Sequence, residues 1–157
     1  MKKKKIIKWS LRLFIIGLTT AISVFLYVWL MPHRDIQATA LDFNLTSSEL
    51  VQEYLDNSQK ANLKYLQKEG DSKILAVTGK IAVISKDMEG NSTVLLKNEG
   101  DDLGVLCYFM KGTNKNTLSL IVGDLVTIKG VIRSGAEYDE DLDLYEDAIL
   151  QDCDILK

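Results

Sequence analysis

The chain has 157 residues, with 19 Lys or Arg against 22 Asp or Glu and a formal net charge of −3 at pH 7. That length leaves room for one small domain with its own core beside any targeting segment. The charge is unevenly spread: every acidic residue lies at or after Asp35, where only 12 of the basic residues fall, so residues 35–157 carry −10. A field of that sign opposes the Lys and Arg clusters that bind phosphate backbones, so nucleic acid is disfavoured as a partner.

Residues 1–12 form a basic tail containing Lys2, Lys3, Lys4, Lys5, Lys8 and Arg12. Leu13 to Met31 then runs for 19 residues without a charge. As a helix it would extend roughly 28 Å, close to a ~30 Å hydrocarbon core. The positive flank predicts a single transmembrane helix over 13–31, with the N-terminus cytoplasmic and residues 35–157 outside. The lipid bilayer is then a partner through residues 13–31, and the location is the inner membrane. The rival is a cleaved leader ending at Ala38-Thr39-Ala40, but the apolar run exceeds a signal h-region and the site lies nine residues beyond it. No cysteine stands where a lipid anchor would need one.

Residues 32–45, with the lone proline Pro32, read as a stalk before a domain at 46–157. Thr46-Ser47-Ser48-Glu49 is a capping-box pattern, opening an amphipathic helix that runs to about Glu69 with Gly70 as its stop. From Lys73 the period changes to two: Leu75, Val77, Gly79, Ile81 and Val83 alternate along one long strand. Gly79 in mid-strand implies a bend or coil there. A turn at 87–91 leads to a second strand over 92–97, and a turn at 100–102 leads to a third, on which Val105, Cys107 and Phe109 face inward. Residues 113–120 hold a short helix, Asp124–Arg133 is a fourth strand, 134–141 an acidic loop, and a fifth strand covers about 142–155. Five strands, a long bent first strand and a helical insert after the third predict a small closed barrel without exposed sheet edges.

Several short motifs join these elements: Ala61-x-x-x-Tyr65, Val77-Thr78-Gly79, Val105-x-Cys107-x-Phe109, Gly123-Asp124-x-Val126-x-x-x-Gly130 and Cys153-x-Ile155. Together, over about residues 45–157, the chain resembles the tRNA-anticodon-like (tRNA_anti-like) family of bacterial OB-fold domains. The resemblance implies a mainly β fold, a five-stranded Greek-key OB barrel preceded by a helix, here behind a single transmembrane helix. It implies little about activity, since a fold does not carry function across.

Three sets of residues are candidate sites. Cys107 and Cys153 fall on apolar-facing positions of neighbouring barrel strands and are a candidate disulfide; the alternative is two separate buried thiols. Asp139, Asp141 and Asp143 alternate in the acidic run and are weak candidates for Ca²⁺ ligands, though the spacing is not that of an EF-hand and reads more simply as a solvated face. OB grooves lie over the second and third strands, flanked by the loops after strands one and four. Here those loops are 86–91 and 134–141. Tyr108 and Met110 point away from Cys107 and offer a groove surface for a sugar or peptide, unless the helix covers them. No catalytic constellation stands out: the only histidine is His33, and there is no Cys–His pair, phosphate-cradling loop or metal-ligand spacing. The expected function is a non-catalytic binding or assembly module of the cell envelope, without a cofactor, for a protein, peptide or glycan. The alternative is a small-ligand or Ca²⁺ sensor built on residues 134–143.

Overall fold

The computed structural model describes residues 2–30, 36–66, 72–139 and 143–156, with backbone alone for 2–13. The chain divides into two compact units, residues 1–34 and 35–157. The first holds one helix, α1 (Lys2–Trp29). Among the described residues no helix is long and apolar enough to cross a membrane. This overturns the expected single-pass anchor over 13–31, and with it the bilayer contact and inner-membrane location built on that anchor. The physical reason is length. The N-terminal part of α1 carries the basic tail, and from Leu13 to Trp29 seventeen uncharged residues remain. At 1.5 Å each they span about 25 Å, short of a ~30 Å hydrocarbon core. Within that stretch Thr19, Thr20 and Ser23 turn their hydroxyls back onto the carbonyls of Ile15, Ile16 and Thr19.

The second unit is a closed barrel. Its strands are β2 (Ile74–Lys86), β3 (Ser92–Leu96), β4 (Val105–Phe109), β5 (Leu125–Ser134) and β8 (Ala148–Ile155). They follow one another in the order β2-β3-β4-β8-β5, and β5 pairs back onto β2 to close the ring. Only the β4–β8 pair is parallel within the ring. This is the expected five-stranded OB barrel. One long strand serves two neighbours: Ile74–Lys80 pairs with β5, and Ile81–Lys86 pairs with β3 after a bulge between Ile81 and Val83. Val77, Ile81, Val94, Leu96, Val105, Cys107, Ile128, Ile132 and Leu150 fill the interior and are fully buried or nearly so.

Before the barrel come β1 (Phe43–Thr46), which pairs in parallel with Leu75–Thr78 of β2, then α2 (Ser47–Asp56) and α3 (Ser58–Tyr65). The capping box is present: Thr46 Oγ1 accepts from the Glu49 N–H, and Glu49 Oε2 accepts from the Thr46 N–H at 2.8 Å. Gly79 lets α2 approach β2 closely. A Cβ there would stand 2.7 Å from Ser47 Oγ and 3.0 Å from Leu96 Cβ. The expected single helix to Glu69 is instead two, because Asn57 ends α2 with its own N–H on Glu53 and begins α3 by accepting from the Lys60 N–H. Part of the expected stalk is also folded onto the barrel. Buried Lys129 donates from Nζ to the carbonyls of Gln37 (2.9 Å) and Thr39 (2.6 Å), and Ile36 packs with Ile74 and Val131.

Candidate functional site

The bulge in β2 sets which side chains line the outer surface of the sheet. Beyond it, register places Val83 opposite Leu95 and Ser85 opposite Thr93, while Thr93 faces Tyr108 and Leu95 faces Leu106 on β4. Leu106 in turn stands opposite Ile149 of β8. Because successive side chains alternate across a sheet, Val83, Leu95, Leu106, Tyr108 and Ile149 share one outward face with Met110 at its end. The inward partners on the same strands, Val94, Leu96, Val105 and Cys107, are buried in the barrel. Four strands at ~4.8 Å spacing make this face roughly 14 Å across. Val83 is 48% and Met110 37% exposed, and Tyr108, Leu95, Leu106 and Ile149 are half-buried. The α2 helix lies elsewhere, on β1, β2 and β6 (Glu137–Asp139). The possibility that Tyr108 and Met110 are cover beneath the helix therefore loses its support.

The rim of the face is tightly built. In the 87–91 turn Asp87 accepts from the backbone N–H of Glu89 and Asn91, and Gly90 takes a positive φ of 84°. The 3-10 helix Asn114–Ser119 anchors the start of β3, since Asn114 Oδ1 accepts from the Ser92 N–H and Thr117 Oγ1 donates to Ser92 Oγ. Lys86 and Lys111, both exposed, stand at the end of the face where β2 and β4 finish. On the face itself, the Ser85 and Thr93 hydroxyls bond each other at 2.6 Å. Its other side chains are apolar or phenolic, with no carboxylate, thiol or imidazole among them.

The remaining sequence candidates fall in two places. Cys107 and Cys153 are both fully buried, and both are free thiols. The structure brings them together: each thiol lies against the other, and burial pushes the Cys153 thiol well above its ordinary range. The register explains the meeting. Between Leu150 and Cys153 the β8 strand carries one extra residue relative to β4, with Asp152 at φ 55°, and this turns Cys153 back into the barrel. Of the acidic trio, Asp139 ends β6 and Asp143 precedes β7 (Leu144–Glu146), while Asp141 lies outside the described residues. Asp143 accepts from the Tyr138 hydroxyl at 2.8 Å, and the Tyr138 and Tyr145 rings meet at 4.5 Å across this hairpin. Among the described residues, no three His, Cys, Asp or Glu side chains are grouped to hold a metal ion.

The profile of tRNA_anti-like domains matches residues 1–141. The chain belongs to the tRNA_anti-like family. Among solved structures, this tRNA_anti-like chain is similar to the crystal structure of a proposed nucleic acid-binding lipoprotein from Klebsiella pneumoniae subsp. pneumoniae. The TM-score is 0.54 and the identity 22%, covering 81% of this chain and 100% of that one. It is also similar to the crystal structure of yeast Stn1 and Ten1, at TM-score 0.40 and 15% identity, covering 82% of this chain and 69% of that one. No curated protein matches the sequence. The first of these likenesses is one of fold. The expectation that nucleic acid is disfavoured is corrected by the family: a tRNA_anti-like domain has an OB barrel, a type of fold that takes oligonucleotides as well as oligosaccharides. A net charge summed over the whole domain also does not describe what one apolar face with lysines at its edge accepts.

Proposed function

We propose that the barrel is a non-catalytic binding module and that its ligand, a short single-stranded nucleic acid, lies across the β2–β3–β4–β8 face. The observation that carries this reading is the exposed apolar strip in register around Tyr108, bounded by Lys86 and Lys111. Bases stack on such platforms at about 1–3 kcal/mol each, without sequence preference, while nearby lysines meet the phosphates. The Klebsiella lipoprotein of similar fold, itself proposed to bind nucleic acid, supports the assignment. The charge of −10 over residues 35–157 favours a second reading, in which the occupant is an uncharged or basic chain, a glycan or a peptide.

Fluorescence anisotropy with the full-length chain and labelled single-stranded 12-mers of DNA and RNA, at low salt, separates the two. The expected result is binding that weakens as salt rises and falls about tenfold in Tyr108→Ala, in line with the loss of one stacked base. Oligonucleotide affinity that is unchanged in Tyr108→Ala removes the face from the reading. No oligonucleotide binding, with a neutral oligosaccharide or a peptide bound in a Tyr108-dependent way, transfers the face to the second reading.

A further inference from the structure

A second concavity, separate from the face just described, lies between the α2–α3 elbow and β6. Two adjoining cavities of about 550 and 180 Å³ share Tyr54, Ser58, Ala136 and Glu137 as walls. Tyr54 is 2% exposed, yet its hydroxyl has no hydrogen-bond partner among the described residues. Leaving a buried hydroxyl unpaired costs about 1–3 kcal/mol, and native structures rarely keep such a group without a use. The ring lies flat against the backbone at Gly135: a Cβ there would come 1.9 Å from Tyr54 Cε1 and 2.5 Å from Cζ, the atom that bears the hydroxyl. Gly135 and Tyr54 both line the smaller cavity.

The surrounding groups favour an uncharged, hydroxyl-rich ligand. Asn57 uses its Oδ1 to cap α3 and keeps its amide NH₂ as a donor. Ser58, Gln59 and Glu137 add a hydroxyl, a carboxamide and a carboxylate, and Tyr138 presents a ring that is 38% exposed. Among the described lining residues, three carboxylates, Asp56, Glu137 and Glu146, against the cation Arg133 turn away anions.

We infer that this cleft binds a neutral saccharide. Ring hydroxyls meet Asn57, Ser58, Glu137 and the Tyr54 hydroxyl, and the apolar face of the sugar lies on Tyr138. The Tyr54 hydroxyl is buried, so its contact with the sugar needs a side-chain shift of rotamer size at the wall, a change common on binding.

The test is an amide-resolved NMR titration of the full-length protein with maltose, cellobiose and diacetylchitobiose, each to about 20 mM, which reports millimolar affinity. At least one disaccharide is expected to move the amides of Asn57, Ser58, Glu137 and Tyr138 while leaving Thr93 and Tyr108 in place. Tyr54→Phe should weaken that disaccharide about tenfold, the loss of one hydrogen bond, without lowering the melting temperature. Ser58→Trp, which fills the mouth from an exposed position, should abolish binding. No movement with any of the three sugars, movement confined to the β3–β4 face, or an unchanged affinity in Tyr54→Phe would each overturn the inference. The results at the cleft leave the nucleic-acid reading untouched, since that reading is decided at Tyr108; movement confined to the β3–β4 face would bear on the occupant of that face.

Discussion

A single methyl group at position 135 decides whether α2 can seat on the barrel. The Tyr54 ring occupies the space a Gly135 side chain would need, and a 1.9 Å approach cannot be relieved by a flexible tip, because the obstacle is a buried aromatic ring. Gly135→Ala is therefore expected to cost about 3 kcal/mol, the upper range for overpacking, read as a lowered urea midpoint at unchanged slope. Adding Tyr54→Leu should recover most of that loss relative to Tyr54→Leu alone, since the two positions are in contact and should couple. Strictly additive effects would place the cost in the backbone at 135 instead. Burial also pushes the Tyr54 phenol up to about 12. None of this was legible beforehand. Tyr54 reads as one more apolar position on a helix, and Gly135 as one more residue in an acidic loop; only the third dimension puts one against the other.

The helical pair shows what local sequence specifies and what it hides. The Thr46–Glu49 capping box was readable because both of its bonds join residues three apart. The break at Asn57 was missed because the apolar spacing of Tyr54, Ala61 and Tyr65 continues across it, although Asp56-Asn57-Ser58 is itself a helix-start composition. The elbow is held by a cluster that no periodicity announces. Lys64 Nζ donates to both Glu53 oxygens at 2.9 and 2.7 Å, the Tyr65 hydroxyl donates to the same carboxylate, and Lys64 stands 5.2 Å above the Phe43 ring of β1. The hydrogen bond from Lys64 holds the Glu53 carboxyl below its ordinary 4.5. A carboxyl depressed in the folded state adds stability that is present above about pH 4.5 and disappears as the pH falls through its folded-state value. Both side chains are more than a third exposed, so the contribution is that of a surface pair, about 0.5 kcal/mol. Denaturant titrations at pH 6 and pH 3 should show a smaller acid-induced loss in Glu53→Gln than in the parent, by about that amount. An identical loss in the two proteins would show that Lys64 does not stabilise the elbow through its charge.

Over the whole molecule, the barrel was legible because β4 and the middle of β2 carry a period-two pattern and the turns are marked by Gly90 and Gly100, both at positive φ. The helix α1 was over-read, since a count of uncharged letters took no account of where the helix ends. The net charge was over-read in the same way, as a sum in place of a surface. Cys107 and Cys153 sit between these cases: neighbouring strands could be expected to bring them near, but the Asp152 bulge that makes them touch has no signature in the sequence. They lie on the β4–β8 pair, 46 residues apart in the chain, and a bridge there would restrain the unfolded state by on the order of 4 kcal/mol in the chain-entropy model. The folded protein should resist forming it, because both sulfurs are fully buried and a thiol held above its ordinary pKa supplies little thiolate. Unfolding exposes them. Refolding from denaturant in glutathione disulfide should therefore give a product about 2 Da lighter, as two thiol hydrogens leave with reduced glutathione. That product should melt roughly 10–20 °C above the reduced form, the shift a gain of this size implies for a domain of this length. Cys107→Ala refolded in the same buffer should show neither change. If the bridged product forms but melts with the reduced protein, the strain of closing the S–S bond cancels the entropic gain. If it does not form at all, the two sulfurs serve the core only as small apolar groups.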